Sequence, residues 1–308
     1  MTYKKKLVFL SALIVILATV YILSLVFDPE NRRDKTIAWL DSTHHYMADG
    51  IEISGSEGKF VFSRINNAWF LREQRGDLPV KQEKVEDLFA QLSLKNVKPI
   101  KLSTSEAVEK LGLTEDKAYR ITIRGGAGFP LLDLLIGLGD ALGREVYLKR
   151  ADWNQIYSAE DGYSSFTGLK PTSWYDLRLL PRETNLNMVQ QVDISLSDSG
   201  TFVLRRSGSG WIVPGSENLP LDAVRVDAWL RMVLEVEGED FGFEAPEAFD
   251  KSITLRLGDG STLTLQAGPI EEGGIRRVVV SGSAFVYIFS EWKINSIFWD
   301  SSLFLKAP

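Results

Sequence analysis

Phe60-Val61-Phe62-Ser63-Arg64, then Asn66-Asn67, then Ala68-Trp69-Phe70-Leu71, is the stretch that decides the fold. Apolar and polar residues alternate on both sides of a polar turn, which predicts a strand, a tight turn and a second strand. At a separation of 142 the same pattern returns as Phe202-Val203-Leu204-Arg205-Arg206, Gly208-Ser209-Gly210 and Trp211-Ile212-Val213. The match extends outward in both directions. Leu78-Pro79 corresponds to Leu219-Pro220, and Lys84-Val85-Glu86 with Leu88-Phe89 to Arg225-Val226-Asp227 with Trp229-Leu230. Val85, Leu88, Phe89 and Leu92 lie at the spacing of one helix face.

Further blocks follow in the same order. Leu111-Gly112-Leu113 pairs with Phe241-Gly242-Phe243, and Ile121-Thr122-Ile123-Arg124 with Ile253-Thr254-Leu255-Arg256. The run Leu132–Gly137 pairs with Leu263–Gly268, and Tyr157 with Tyr287. Tyr175-Asp176 with Leu179-Leu180 pairs with Trp299-Asp300 and Leu303-Phe304. Trp69, Trp211, Gly112, Gly242, Gly137 and Gly268 are therefore read as the structural anchors of a module written twice. Strands joined by hairpin-like turns, with helices only interposed, predict an α+β fold of mainly antiparallel sheet.

The expected organisation is a tail at 1–6, a transmembrane segment at 7–27 and a connector at 28–50. A first module at 51–181, a linker at 182–191 and a second module at 192–308 complete it. Leu7–Phe27 is 21 uncharged residues long, roughly 30 Å as a helix, the thickness of a bilayer core. The run exceeds a signal peptide's apolar region and ends Ser24-Leu25-Val26-Phe27-Asp28-Pro29, a poor cleavage site, so an uncleaved signal anchor is expected. Lys4, Lys5 and Lys6 precede it and Arg32, Arg33 and Lys35 follow it. The tighter cluster favours a cytoplasmic N-terminus, with the bulk of the chain periplasmic or otherwise outside the cytoplasm, tethered to the inner membrane.

Charge and composition exclude several chemistries. There is no cysteine, hence no disulfide, thiol nucleophile or lipoprotein anchor, and only His44 and His45 supply imidazole. The 308 residues carry a net charge of −6. Residues 1–27 hold three of the 35 basic groups and none of the 41 acidic ones, leaving 32 against 41, a net −9, on the remainder. Such a body lacks the basic face of a nucleic-acid binder.

The repeated residues resemble the domain-of-unknown-function 4340 (DUF4340) proteins over about residues 51–308. The features that carry the resemblance are Trp69, Leu78-Pro79, Leu111-Gly112-Leu113, Ile136-Gly137 and Asp176-Leu177-Arg178-Leu179-Leu180. In the second copy Ser301-Ser302 replaces the Leu-Arg of the last segment, so Arg178 has no duplicate. The resemblance implies signal-anchored envelope proteins that accompany gliding-motility-type ABC transporters as accessory proteins. No catalytic residue comes with it, and no cofactor or metal is implied.

Other patterns read as structural. Gly137-Leu138-Gly139-Asp140-Ala141-Leu142-Gly143 has the look of a dinucleotide loop. It is followed by a strand rather than by the helix that would hold a pyrophosphate, so a hairpin is expected. His44 and His45 are adjacent and point apart, which predicts a solvated connector rather than a metal pair. Glu235, Glu237, Glu239 and Asp240 lack the spacing of a calcium loop, and no G-x-S-x-G elbow is present. Trp69 and Trp211 are expected in the cores rather than stacked on sugar. The function expected is a non-enzymatic, membrane-anchored binding protein with protein partners, an ABC-transporter complex first among them. The alternatives are an envelope hydrolase or carbohydrate-binding protein with a cleft between the modules, and a structural spacer.

Overall fold

The computed structural model describes residues 36–306 apart from 42, 57, 75, 102, 103 and 209, together with 14 and 17–19. The chain forms two compact units, Met1–Arg72 with Gln82–Pro171, and Glu73–Lys81 with Thr172–Pro308. The fold is α+β, built on two antiparallel sheets with few helices. Among the described residues no helix is long and apolar enough to cross a membrane. The Leu7–Phe27 segment lies outside them apart from 14 and 17–19.

The first sheet contains β1 (Ala48–Gly55), β2 (Gly58–Ile65), β3 (Ala68–Glu73), β4 (Gly76–Pro79), β5 (Lys98–Pro99), β6 (Tyr119–Gly125), β7 (Pro130–Gly139), β8 (Glu145–Arg150) and β9 (Tyr157–Glu160). Their order is β4-β3-β2-β1-β6-β7-β8-β9-β5. The second contains β10 (Val189–Leu196), β11 (Gly200–Ser207), β12 (Gly210–Ile212), β13 (Asp240–Gly242), β14 (Lys251–Leu257), β15 (Thr262–Ala267), β16 (Ile275–Val280) and β17 (Val286–Ser290). Its order is β12-β11-β10-β14-β15-β16-β17-β13. Five α-helices are described: α1 (His44–Met47), α2 (Gln82–Ser93), α3 (Ser105–Lys110), α4 (Ala223–Leu234) and α5 (Glu291–Ile297).

The two sheets repeat each other down to register. Ile51 faces Phe62 on one side and Ile123 on the other, as Val192 faces Leu204 and Leu255. Both central strands carry an irregularity at the same place, between Ala48 and Gly50 and between Val189 and Gln191. The alternation read from sequence puts Ile51, Ile53, Val192 and Ile194 in the cores. The β2–β3 hairpin turns on Asn66 and Asn67, both at positive φ (50° and 65°). Asparagine tolerates that region better than most residues, and two such residues in succession suit the twist of a tight hairpin. The helix face anticipated at Val85, Leu88, Phe89 and Leu92 is the buried face of α2, and Val226, Trp229, Leu230 and Val233 are buried on α4.

Two of the sequence correspondences are corrected. Phe241-Gly242 lies on β13 and pairs with Tyr287-Val286, the place that Pro99 of β5 takes opposite Tyr157. Gly112 instead follows α3 at φ +67°, where a residue with positive φ ends a helix. Gly112 and Gly242 are therefore not equivalent: similar apolar-Gly-apolar strings fall in different elements. Likewise Lys81 N donates to Trp174 O and Asp176 N to Pro79 O, as Asp222 N donates to Phe304 O and Lys306 N to Pro220 O. Trp174, not Leu180, stands where Phe304 stands.

Gly137 follows Ile136, which pairs with Leu148, and Gly268 follows Ala267, which pairs with Val278. A Cβ on Gly137 would lie 2.2 Å from Leu111 O, and one on Gly268 would lie 2.5 Å from Pro246 Cβ. Each glycine lets a crossing segment approach its strand more closely than a side chain permits.

Candidate functional site

A groove of about 550 Å3 lies within the first unit. Trp69 of β3 and Phe89 of α2 line it, with ring centroids 6.0 Å apart and planes tilted by 38°. Both are buried because the helix packs its apolar face onto the hairpin. Gln82, at the start of α2, holds the same hairpin: its Nε2 donates to Trp69 O at 3.0 Å and its Oε1 accepts from Trp69 N at 2.8 Å. Glu86 lies one turn further along the helix and is exposed.

The opposite wall comes from β2, the Asn67 turn and α1. Arg64 donates through Nη1 to Tyr46 O at 3.3 Å. Its Nε is buried without a hydrogen-bond partner, a condition that is costly for a donor on a charged group. His45 stacks tilted against Tyr46 at 3.6 Å and lies 6.1 Å from Phe89. Tyr46 is 71% exposed and forms the rim. His45 is thus half-buried beside the groove rather than solvated along a connector, while His44 Nδ1 accepts from Asp41 N at 3.2 Å.

The second unit carries the same parts in a closed arrangement. Arg206, the counterpart of Arg64, lies 4.5 Å from the centroid of the Trp211 ring, a cation–π distance. Its Nε donates to Val189 O at 3.0 Å and its Nη2 to Leu186 O at 2.9 Å. Trp211 Nε1 donates to Asp227 Oδ1 at 2.8 Å, and Asp227 is the counterpart of Glu86. In the first unit Trp69 is 7% exposed, and its indole nitrogen is not one of the buried, partnerless side-chain atoms of the described residues. Trp69 and Trp211 are both buried, and Trp211 carries an internal carboxylate on its indole.

The remaining sequence motifs are structural. Gly137–Gly143 forms the β7–β8 hairpin, whose turn is held by Arg144 N and Glu145 N donating to Asp140 Oδ1 at 2.6 and 3.0 Å. Those two backbone donors are what hold the Asp140 carboxyl below its ordinary range. The acidic run is engaged rather than free in solvent: Glu237 meets Lys81 Nζ at 3.4 Å, and Glu239 accepts from Ser290 N and Oγ. Glu271 pairs with Arg277 at 2.6 Å. Arg178 donates to Leu234 O at 3.3 Å. Among the described residues there is no group of three or more His, Asp or Glu able to hold a metal ion.

The groove was not legible as a unit in the sequence, since its walls come from residues 45 to 93 and from side-chain orientation. The repeated arginine, Arg64 and Arg206, was the available signal.

Two repeated antiparallel sheets, each accompanied by a 12-residue helix with a buried apolar face, define a tandem α+β protein. Residues 69–268 match the family described as Domain of unknown function (DUF4340). That match covers well over half of the chain, and the chain belongs to this family. No curated protein and no solved structure matches it.

Proposed function

We propose that the chain is a membrane-tethered, non-enzymatic binding protein. Its two modules stand outside the cytoplasm and work with the subunits of an ABC-transporter complex. The observation that carries the binding role is the open groove around Trp69 and Arg64. One fold is present twice, and only the second copy gives its guanidinium Nε an internal acceptor and its indole an internal carboxylate at this place. A site kept open against an internal solution available to the same fold is suited to an external partner. The tether is supported by the 21 uncharged residues at Leu7–Phe27 and the lysines before them. The transporter rests on the resemblance noted above.

Affinity purification of the full chain from gently solubilised membranes tests the reading. Recovery of permease and ATPase subunits, reduced by Trp69→Ala, is the expected result. Recovery of no transporter component overturns the transporter part. A reporter fused to the C-terminus that is active only in the cytoplasm overturns the topology.

A further inference from the structure

We infer that the groove of the first unit recognises a carboxylate side chain, Asp or Glu, presented by a polypeptide partner. This rests on the binding role proposed above and specifies its chemistry.

Arg64 donates through Nη1 to Tyr46 O while its Nε is buried without a partner, and Trp69, 7% exposed, has no carboxylate on its indole of the kind that Trp211 has. Both residues line the groove, and Asn67 adds an amide to the same wall. A carboxylate presents only acceptors, with about four lone-pair sites, and so suits a wall that sets the Trp69 indole N–H beside the Arg64 guanidinium.

The second unit shows what the same scaffold selects. There the Trp211 indole is taken by a carboxylate, Asp227, at 2.8 Å, with the Arg206 guanidinium over the ring at 4.5 Å. In the first unit the register position of Asp227 is held by Glu86, which is exposed and makes no hydrogen bond to Trp69. The internal carboxylate is thus withdrawn, and the indole N–H it would satisfy remains. A carboxylate from outside restores the arrangement that the second unit completes by itself.

The rings indicate a peptide rather than an acidic sugar. Stacking on a saccharide needs an open aromatic face, whereas Trp69 and Phe89 are buried at 7% and 6% exposure. Tyr46, at 71% exposure, leaves an apolar ring at the rim beside His45, suited to an apolar residue next to the acidic one.

The test uses the full chain in detergent with its eight tryptophans labelled at the indole nitrogen. Trp69→Phe assigns the Trp69 resonance. The probes are acetyl-Phe-Glu-amide, acetyl-Phe-Gln-amide and glucuronic acid. The acidic dipeptide should shift the Trp69 indole resonance, with a dissociation constant of about 1 mM for so small a ligand, and should leave Trp211 unmoved. Arg64→Gln should weaken binding by about tenfold or more, the effect of losing a charge-assisted hydrogen bond. Glu86→Gln, which removes a carboxylate lining the groove, should tighten it, and this variant decides the matter if Arg64→Gln does not fold. An equal shift with the neutral dipeptide, or no shift with either, overturns the inference. A larger shift with glucuronic acid assigns the groove to an acidic glycan and overturns the peptide. Partner recovery from membranes with no response to the dipeptide leaves the binding role standing and removes this chemistry. A response without partner recovery does the reverse.

Discussion

Trp211 donates its indole N–H to Asp227 at 2.8 Å, across the helix–hairpin contact of the second unit. In the first unit Trp69 and Glu86 occupy the matching positions without that bond. Asp227→Ala should therefore leave a largely buried indole donor unpaired and destabilise the protein by about 1–2 kcal/mol. Glu86→Ala, at an exposed position, should change stability by less than about 0.5 kcal/mol. Urea unfolding of the solubilised full chain, with unchanged slope, would separate the two. Equal losses would mean that the two carboxylates do the same structural work.

The anchor glycines make a sharper contrast. At Gly137 an added Cβ meets the Leu111 backbone carbonyl at 2.2 Å, and at Gly268 it meets the Pro246 ring at 2.5 Å. Neither a backbone oxygen nor a proline ring swings aside, so Gly137→Ala and Gly268→Ala should each lose about 3 kcal/mol or more. Gly143 has open space around it but sits at φ +65°, so Gly143→Ala should lose only about 1 kcal/mol from backbone strain. Thermal unfolding of the three variants tests the ranking, and a harmless Gly137→Ala would refute the close approach.

The first pair of glycines was visible in the sequence because each ends an apolar run whose two-residue period survives in both copies. Where a period exists, as in Ile121–Arg124 against Ile253–Arg256, register follows, and the pairing to Ile51 and Val192 agrees with it. Leu111-Gly112-Leu113 and Phe241-Gly242-Phe243 are too short to have a period. Composition alone paired them, and the partners of β13 separate them. The late segment misled for the same reason, since Tyr-Asp and Trp-Asp look alike while backbone bonds to Trp174 and Phe304 define the equivalence. The groove depends on which way two equivalent arginines turn, which no local pattern encodes.

Arg276 is a buried cation that the repeat does not share. Val146 holds the matching place on β8, as the Leu148–Tyr157 and Val278–Tyr287 pairings require. Arg276 Nη1 donates to both Asp250 oxygens at 2.8 and 2.7 Å and to Gly268 O at 2.6 Å, and its Nε donates to Glu291. Arg276→Met would leave two carboxylates without their counter-charge and should lose about 3 kcal/mol. The hydrogen bond from Arg276 is the main cause holding the Glu291 carboxyl below its usual value. Its folded pKa is thus lower than its unfolded one, so the stabilisation is present above the ordinary glutamate range and is lost as pH falls through the folded value. Urea midpoints measured from pH 7 downward should fall more steeply in the native protein than in Glu291→Gln. Parallel curves would count against the pairing.

Asn66 and Asn67 test how the first hairpin is held. Both are at positive φ, 50° and 65°, where a β-branched side chain is strained by about 1–2 kcal/mol per residue and glycine is not. Asn67→Gly should therefore keep stability within about 0.5 kcal/mol, the usual scale for a substitution away from the core. Asn67→Val should lose about 2 kcal/mol. The same turn sets Arg64 and Trp69 opposite each other in the β2–β3 register, so a hairpin that slips would also move the groove. The indole resonance of Trp69 in the Val variant distinguishes the outcomes. An unmoved signal with reduced stability means that the strain is local, and a displaced one means that the turn positions the groove. A Val variant as stable as the native protein would show that the turn's backbone conformation does not hold this hairpin.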